Sequence, residues 1–342
     1  MMKKISILIL YFFVLFISLK SQAQTNYKIV NKIHLQGNEK WDYLFSDDQA
    51  GRLYVSHGTI VQVVDETNGQ LIGTIEGMKG VHGIAIVTDL GKGYISSGKD
   101  TTVVVFDTKT LKVLSKIKVS GLNPDAILFD PFSRKIFTSN GKSNSSTVID
   151  PVTDKIVATI ALEGKAESAV SDGKGKVYMN FEKESKLCQI NATTFKSENV
   201  WPLAPGEEPT GLALDNENHR LFSTCNNKIM TVVDCMSGKV ISTIPIGEDS
   251  DGAAFDPESG LIYSSNGGGT LTVVKEDKND SFRVLENLPT RKGAKTITVN
   301  HKTHHIYLSA SDFEPETDAS QKAKIAANTF VVLDIAPIKL NK

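Results

Sequence analysis

Along this 342-residue chain, short apolar runs alternate with clusters of Asp, Asn, Ser, Pro and Gly. Seven of the runs share one signature, an aliphatic residue (once a Gly) followed by an aromatic. Leu53-Tyr54, Gly93-Tyr94, Ile136-Phe137, Val177-Tyr178, Leu221-Phe222, Ile262-Tyr263 and Ile306-Tyr307 form the series, with aromatics 40, 43, 41, 44, 41 and 44 residues apart. A period of about 40 to 45 residues made only of strand-length runs is the mark of a β-propeller blade, because one small sheet cannot bury both faces alone. The pattern predicts an all-β, seven-bladed β-propeller.

The sixth repeat shows the expected blade. Asp251-Gly252-Ala253-Ala254-Phe255 is a small-residue inner strand, and Asp256-Pro257-Glu258-Ser259-Gly260 is turn chemistry. Leu261 to Ser264 is rich in β-formers, and Leu271 to Val274 follows as the third strand. Lys239 to Ile244 shows the outer strand in the repeat before. Third strands end in Asp65, Asp107, Asp150, Asp234 and Asp334. These carboxylates are expected to accept backbone N–H groups of the following turns, since they recur with the turn and with no other reactive group. Asn191 can do the same in repeat four; Lys275 cannot in repeat six. Blades are expected to begin near Asn38, Val81, Leu122, Lys165, Glu207, Ser250 and Ala294. The last blade lacks an outer strand, and Lys28 to Ile33 is the expected donor, closing the ring with mixed N- and C-terminal strands and removing an open sheet edge.

The N-terminus reads differently. Lys3 and Lys4 precede an apolar run from Ile5 to Leu19, and Ser21-Gln22-Ala23 supplies small residues for cleavage, so residues 1–23 are expected to be a signal peptide. The run falls short of the roughly 20 apolar residues that span a bilayer, so no transmembrane anchor is expected in the mature chain. Residues 24–342 would be the propeller, exported to a periplasm or beyond. Without Lys3, Lys4 and Lys20 the basic residues fall from 38 to 35 against 39 acidic ones, and no long block of one charge appears, so a general nucleic-acid surface is not expected. Cys188, Cys225 and Cys235 are too few for a disulfide framework and read as buried thiols, with one bridge left open.

Pro209 to Asp215, Asp256-Pro257 followed by Ile262 to Asn266, and Val232-Val233-Asp234 followed by Ser237 to Ile241 resemble YVTN-type seven-bladed propeller repeats. Tyr94-Ile95-Ser96-Ser97, Phe137-Thr138-Ser139-Asn140 and Tyr263-Ser264-Ser265-Asn266 stand where that family has its tetrapeptide. The whole chain is similar to the exported YncE-like proteins. The resemblance implies a secreted or periplasmic repeat protein used for binding, often without known catalysis. It does not carry over the chemistry of more distant quinoprotein, nitrous-oxide-reducing or lyase propellers.

Inner-strand starts and second-strand ends both reach one face of a propeller, so a site is sought there. The starts align as Asp42, His82, Asp125, Ser168, Thr210, Asp251 and Lys295, with Trp41 and Glu167 preceding two of them. The ends align as His57, Ser97, Asn140, Asn180, Cys225, Asn266 and Ala310. From these, Trp41, Asp42, His57, His82, Asp125, Asp251 and Lys295 are the expected ligand contacts. Convergent charge beside an aromatic suits a protein, peptide or small ligand. A merely solvated mouth and a metal or catalytic centre built on His57, His82 and Asp42 both stay open. No phosphate loop, Cys-x-x-Cys pair, haem attachment or zinc helix is present, so no catalytic residue or cofactor is assigned. The leading expectation is a monomeric, non-catalytic binding propeller; the alternative is a metal- or quinone-dependent oxidoreductase or lyase centred at the mouth. His301, His304 and His305 fall in a turn on the opposite face. Ser311 to Thr329, acidic first and helix-prone towards Ala327, is an insertion expected to rise beside the mouth and to be more mobile than the blades, as a floppy insertion or as a lid or docking segment.

Overall fold

The computed structural model describes residues 27–277, 280–314 and 324–338. The expected signal peptide and the middle of the insertion lie outside them. Seven four-stranded antiparallel sheets follow one another around a central channel. Inner strands begin at Trp41, Val81, Pro124, Ala166, Pro209 and Ser250; in blade seven only Ile297–Val299 is regular. Pro124 and Pro209 suit first positions, where a missing N–H costs no ladder bond. No helix among the described residues is long and apolar enough to cross a membrane.

The repeating aromatics lie between blades. Tyr54, Tyr94, Phe137, Tyr178, Phe222, Tyr263 and Tyr307 are each at most 2 % exposed. One cluster shows how they bind neighbours, joining Tyr54, Val63 and Ile75 of blade one to Ile84, Val104 and Phe106 of blade two. Truncating such a side chain to Ala costs about 3–5 kcal/mol. Gly93, the irregular member of the series, has a packing reason. A Cβ there would lie 2.1 Å from the Phe106 ring, so the ring fills the place that an aliphatic side chain takes elsewhere.

The ring closes with mixed termini. Tyr27–His34 pairs antiparallel with Val331–Pro337, in a register running from Tyr27 opposite Pro337 to His34 opposite Val331. The Tyr27 hydroxyl meets that of Tyr263 in blade six at 2.9 Å, tying the closing strand to a second blade. The turn carboxylates behave as local acceptors. Asp65, Asp107, Asp150 and Asp234 take backbone N–H groups two or three residues on, and Asn191 does likewise. Asp334 differs: its strand runs on to Pro337 and its carboxylate meets His305 Nδ1 at 2.6 Å. All three cysteines are free and buried.

Candidate binding site at the channel mouth

The site is built by a bulge. In blades one to six the inner strand slips register just after its first residue, between Trp41 and Leu44, Val81 and Ile84, Pro124 and Ile127, Ala166 and Ala169, Pro209 and Leu212, and Ser250 and Gly252. A bulge leaves a residue unpaired and re-aims its side chain. The second residue of each strand sits there, which makes the mouth ring Asp42, His82, Asp125, Glu167, Thr210 and Asp251, with Lys295 following buried Ala294 in blade seven.

Blade four is shifted by one from the sequence alignment. Ala166 pairs with Phe181, so Glu167 rather than Ser168 takes the ring position, and Phe181 rather than Asn180 ends the second strand. The apolar first position selects Ala166, as it selects Val81 in blade two.

Asp42, His82 and Asp125, from blades one, two and three, bring one ligand-capable atom each within 4.8 Å of the others. His82 Nδ1 lies 2.6 Å from Asp42 and 3.6 Å from Asp125. Asn123 Nδ2 donates to the other Asp125 oxygen at 3.3 Å. Lys295 pairs with Asp251 at 2.9 Å, and Lys165 contacts Glu182 and lies 3.3 Å from Glu167. Across the ring, the Tyr43 hydroxyl of blade one shares a 3.4 Å hydrogen bond with Ser168 of blade four. Beneath it a cavity of about 170 Å³ is walled by Tyr43, Ile84, Ile127, Ala169, Leu212 and Ile297, with Ser168, Asp251 and Thr296 among its polar groups.

The electrostatics of these groups is set first by burial and then by their charged neighbours. Burial holds Asp125 up at about 7, opposed by His82 but reinforced by Asp42, Glu167 and Asp251. Burial also raises Glu167 and Asp251, against the pull of Lys165 and Lys295 respectively. Burial pushes the Tyr43 phenol well above its usual range, and Asp125, Glu167, Asp42 and Asp251 all push the same way. For His82 burial acts downward, yet the Asp42 hydrogen bond and the surrounding carboxylates prevail and raise it to about 9.

Two of the seven expected contacts stand apart from this group. Trp41 donates through Nε1 to the Gly293 carbonyl at 3.2 Å and packs on Phe313 and Phe330. His57 is 1 % exposed and stacked on Phe330 at 3.8 Å, with its ring nitrogens engaged by Gln62 and the Glu39 carbonyl. The reason is general: second-strand ends pair ahead of the bulge and turn into the blades, so Ser97, Asn140, Cys225 and Asn266 are buried too. The mouth is written on one strand per blade.

A supporting set was missed. The residue two places after each repeat aromatic holds the ring backbone of the next blade. Ser56 donates to the His82 carbonyl and Ser96 to that of Asp125. Ser139 reaches Glu167 at 2.5 Å, Asn180 reaches Thr210 at 3.1 Å and Ser265 reaches Lys295 at 2.6 Å. Thr296, assisted by Ser309, holds Asp42 at 2.8 Å. In blade five, Thr224 instead serves Gly211 N, and Thr210 itself donates to Ser250 O at 2.9 Å. The recurring small polar residue is visible in the sequence; its partner depends on the bulge.

On the opposite face the histidines do not converge on one another. His301 pairs with Asp48 at 2.9 Å, His304 with Asp256 at 2.8 Å and His305 with Asp334 at 2.6 Å. The described ends of the insertion are tied down beside the mouth. Phe313 bridges Ile325, which is thus extended and not helical, and Arg291 pairs with Asp312 at 3.0 Å.

No protein-family model matches the chain, and no curated protein matches it. Solved structures do. The chain is similar to the Kuenenia stuttgartiensis hydrazine synthase at a TM-score of 0.70 and 16% identity, covering 80% of this chain and 92% of that one. It is similar to U3-55K at 0.75 and 8% identity, over 92% and 98%, and to the RRP9 WD40 repeats at 0.76 and 8%, over 91% and 97%. At such identities the likeness is one of fold alone.

Proposed function

We propose that the protein is an exported, non-catalytic binding propeller of the YVTN-repeat, YncE-like kind, and that its mouth captures a positively charged group of a protein, peptide or small-molecule partner. One observation carries this: the bulges bring Asp42, Asp125, Glu167 and Asp251 from four blades into one ring at the mouth. His82 and Lys295 offset two of these charges, and Lys165 is shared with Glu182. Burial, reinforced by neighbouring carboxylates, raises Asp125, Glu167 and Asp251, and a cation seated among them would relieve that cost. The signal-peptide pattern of residues 1–23 and the family resemblance support export.

Isothermal titration calorimetry with acetyl-Gly-Lys-Gly-amide and its norleucine twin tests the reading. The lysine peptide should bind at least about tenfold more tightly, a difference of about 1.4 kcal/mol. Asp125→Asn with Glu167→Gln should abolish that preference. Equal binding of the two peptides would refute it.

A second reading has its own observation. Asp42, His82 and Asp125 offer two carboxylates and an imidazole within 4.8 Å, a reasonable set for a divalent ion and thus for the metal-dependent enzyme alternative. An ion would have to displace the proton that His82 holds between the two aspartates. Elemental analysis of protein from the exported fraction decides: a stoichiometric metal favours this reading over the first.

A further inference from the structure

The mouth has depth as well as charge. Immediately under the ring the channel opens into the cavity of about 170 Å³, whose walls include Ile84, Ile127, Ala169, Leu212 and Ile297. Apolar cavities of about 150 Å³ accept a benzene molecule. By volume the throat therefore has room for one ring-sized body, between aliphatic walls and the polar groups of Ser168, Thr296 and Asp251.

The carboxylates above it are not equally engaged. Asp42 has the 2.6 Å contact to His82, and Asp251 the 2.9 Å contact to Lys295. Asp125 has only the longer 3.6 Å approach of His82 and one amide hydrogen bond from Asn123. Glu167 shares Lys165 with Glu182. Asp125 and Glu167 belong to adjacent blades, and the residues that follow them, Ala126 and Ser168, line the throat. The least neutralised part of the rim thus stands beside the throat, with the Tyr43 ring as a third wall and a partner of the kind that cations favour.

We propose that the mouth is a site for a small organic cation: a primary ammonium group seated between Asp125 and Glu167, on a body of about the size of a benzene ring that enters the throat. This rests on the cation-binding reading above and adds the size and polarity of the ligand. Lys295, which already sets an ammonium against Asp251, shows from within the chain that the rim accepts such a group.

The test uses benzylamine, benzyl alcohol and methylammonium as calorimetric or ligand-detected NMR probes on the full propeller. Benzylamine should bind at least about tenfold more tightly than either of the others, since one lacks the charge and the other the body. Asp125→Asn with Glu167→Gln should remove the advantage over benzyl alcohol. Ala169→Leu, which fills the throat, should remove the advantage over methylammonium, and Ile127→Phe serves the same end if the first variant does not fold. Methylammonium binding as well as benzylamine would overturn this inference while leaving a cation-binding mouth in place. Benzyl alcohol binding as well as benzylamine would overturn the charged half of it. No benzylamine binding up to about 10 mM would overturn it outright; if the lysine peptide also failed, the proposed function would fall with it.

Discussion

The two ends of the channel are made by the same seven inner strands and solve opposite problems. At the mouth the strands carry small residues such as Gly83, Ala126, Ser168 and Gly252, and bulges turn charged side chains inward. At the far end they carry Phe45, Phe129, Val170, Leu214 and Phe255 around an opening of about 530 Å³. Three carboxylates near that end are settled pair by pair, while Glu66, raised by burial and by Asp48 and Asp47, takes hydrogen bonds from Ser46 and Asn300. Asp48, Asp256 and Asp334 each hold one histidine, and Asp256, fully buried, also accepts from Glu258 N and Ser259. At the mouth four carboxylates outnumber the nearby cations. A fold that satisfies its charges locally at one end has the means to do so at the other; where it leaves an excess, binding is the better explanation than stability.

The harshest way to break the comparison is to open the ring on which both ends depend. Deleting residues through Lys32 removes Tyr27 and most of the strand that covers Val331–Pro337. A loss of about 3 kcal/mol or more is expected, with aggregation through the exposed edge. Chemical denaturation and light scattering check it; an unchanged cooperative transition would mean that the closing strand is dispensable.

Single substitutions should then move the two ends in opposite directions. Asp256→Asn removes a charge that is buried and bonded to His304, Ser259 and backbone, and should cost about 2 kcal/mol near pH 6. Asp125→Asn removes one of several mutually repelling carboxylates. It should stabilise by on the order of 1 kcal/mol at pH 8. A carboxyl raised to about 7 binds protons more tightly folded than unfolded, so its penalty is full above pH 7 and absent below its unfolded value near 3.8. The gain should therefore vanish in acid. Thermal melts at the two pH values read both effects, and a destabilised Asp125→Asn at pH 8 would show that the mouth is structural.

The smallest effect belongs to His301 and Asp48. The hydrogen bond to Asp48 raises His301, so its contribution is complete below the unfolded value near 6.5 and is lost as pH rises through the folded value. Burial acts upward on Asp48, but the His301 and Ser46 interactions prevail and lower it, so its contribution is present above 3.8 and lost as pH falls through the folded value. The pair thus stabilises between those limits. Because it is partly exposed, the effect should be modest, and Asp48→Asn should flatten that part of the stability profile. An unaltered profile would remove the pair from the account.

The blades were legible because their aromatics must recur wherever one sheet packs on the next. Closure was legible because a strand was missing at one terminus and spare at the other. The site was legible in part. Asp42, His82, Asp125, Asp251 and Lys295 follow from repeat position. Glu167 was displaced by one because the alignment followed the polar residues, whereas the bulge follows the buried first residue, Ala166. His57 and the other second-strand ends looked outward because their register with the inner strand is a property of the paired sheet, not of either strand alone. Excess charge was invisible for a related reason: the sequence is nearly balanced, with 38 basic and 39 acidic residues, and only the fold brings four carboxylates to one rim.

The most direct measurement is a carbon-13 carboxyl titration of Asp125 and Asp48 in one sample, assigned with the two Asn variants. Asp125 should titrate at about 7 and Asp48 below the ordinary value of 3.8. Both carboxyls titrating together near 4 would contradict this, because the mouth would then hold no more uncompensated charge than the far end.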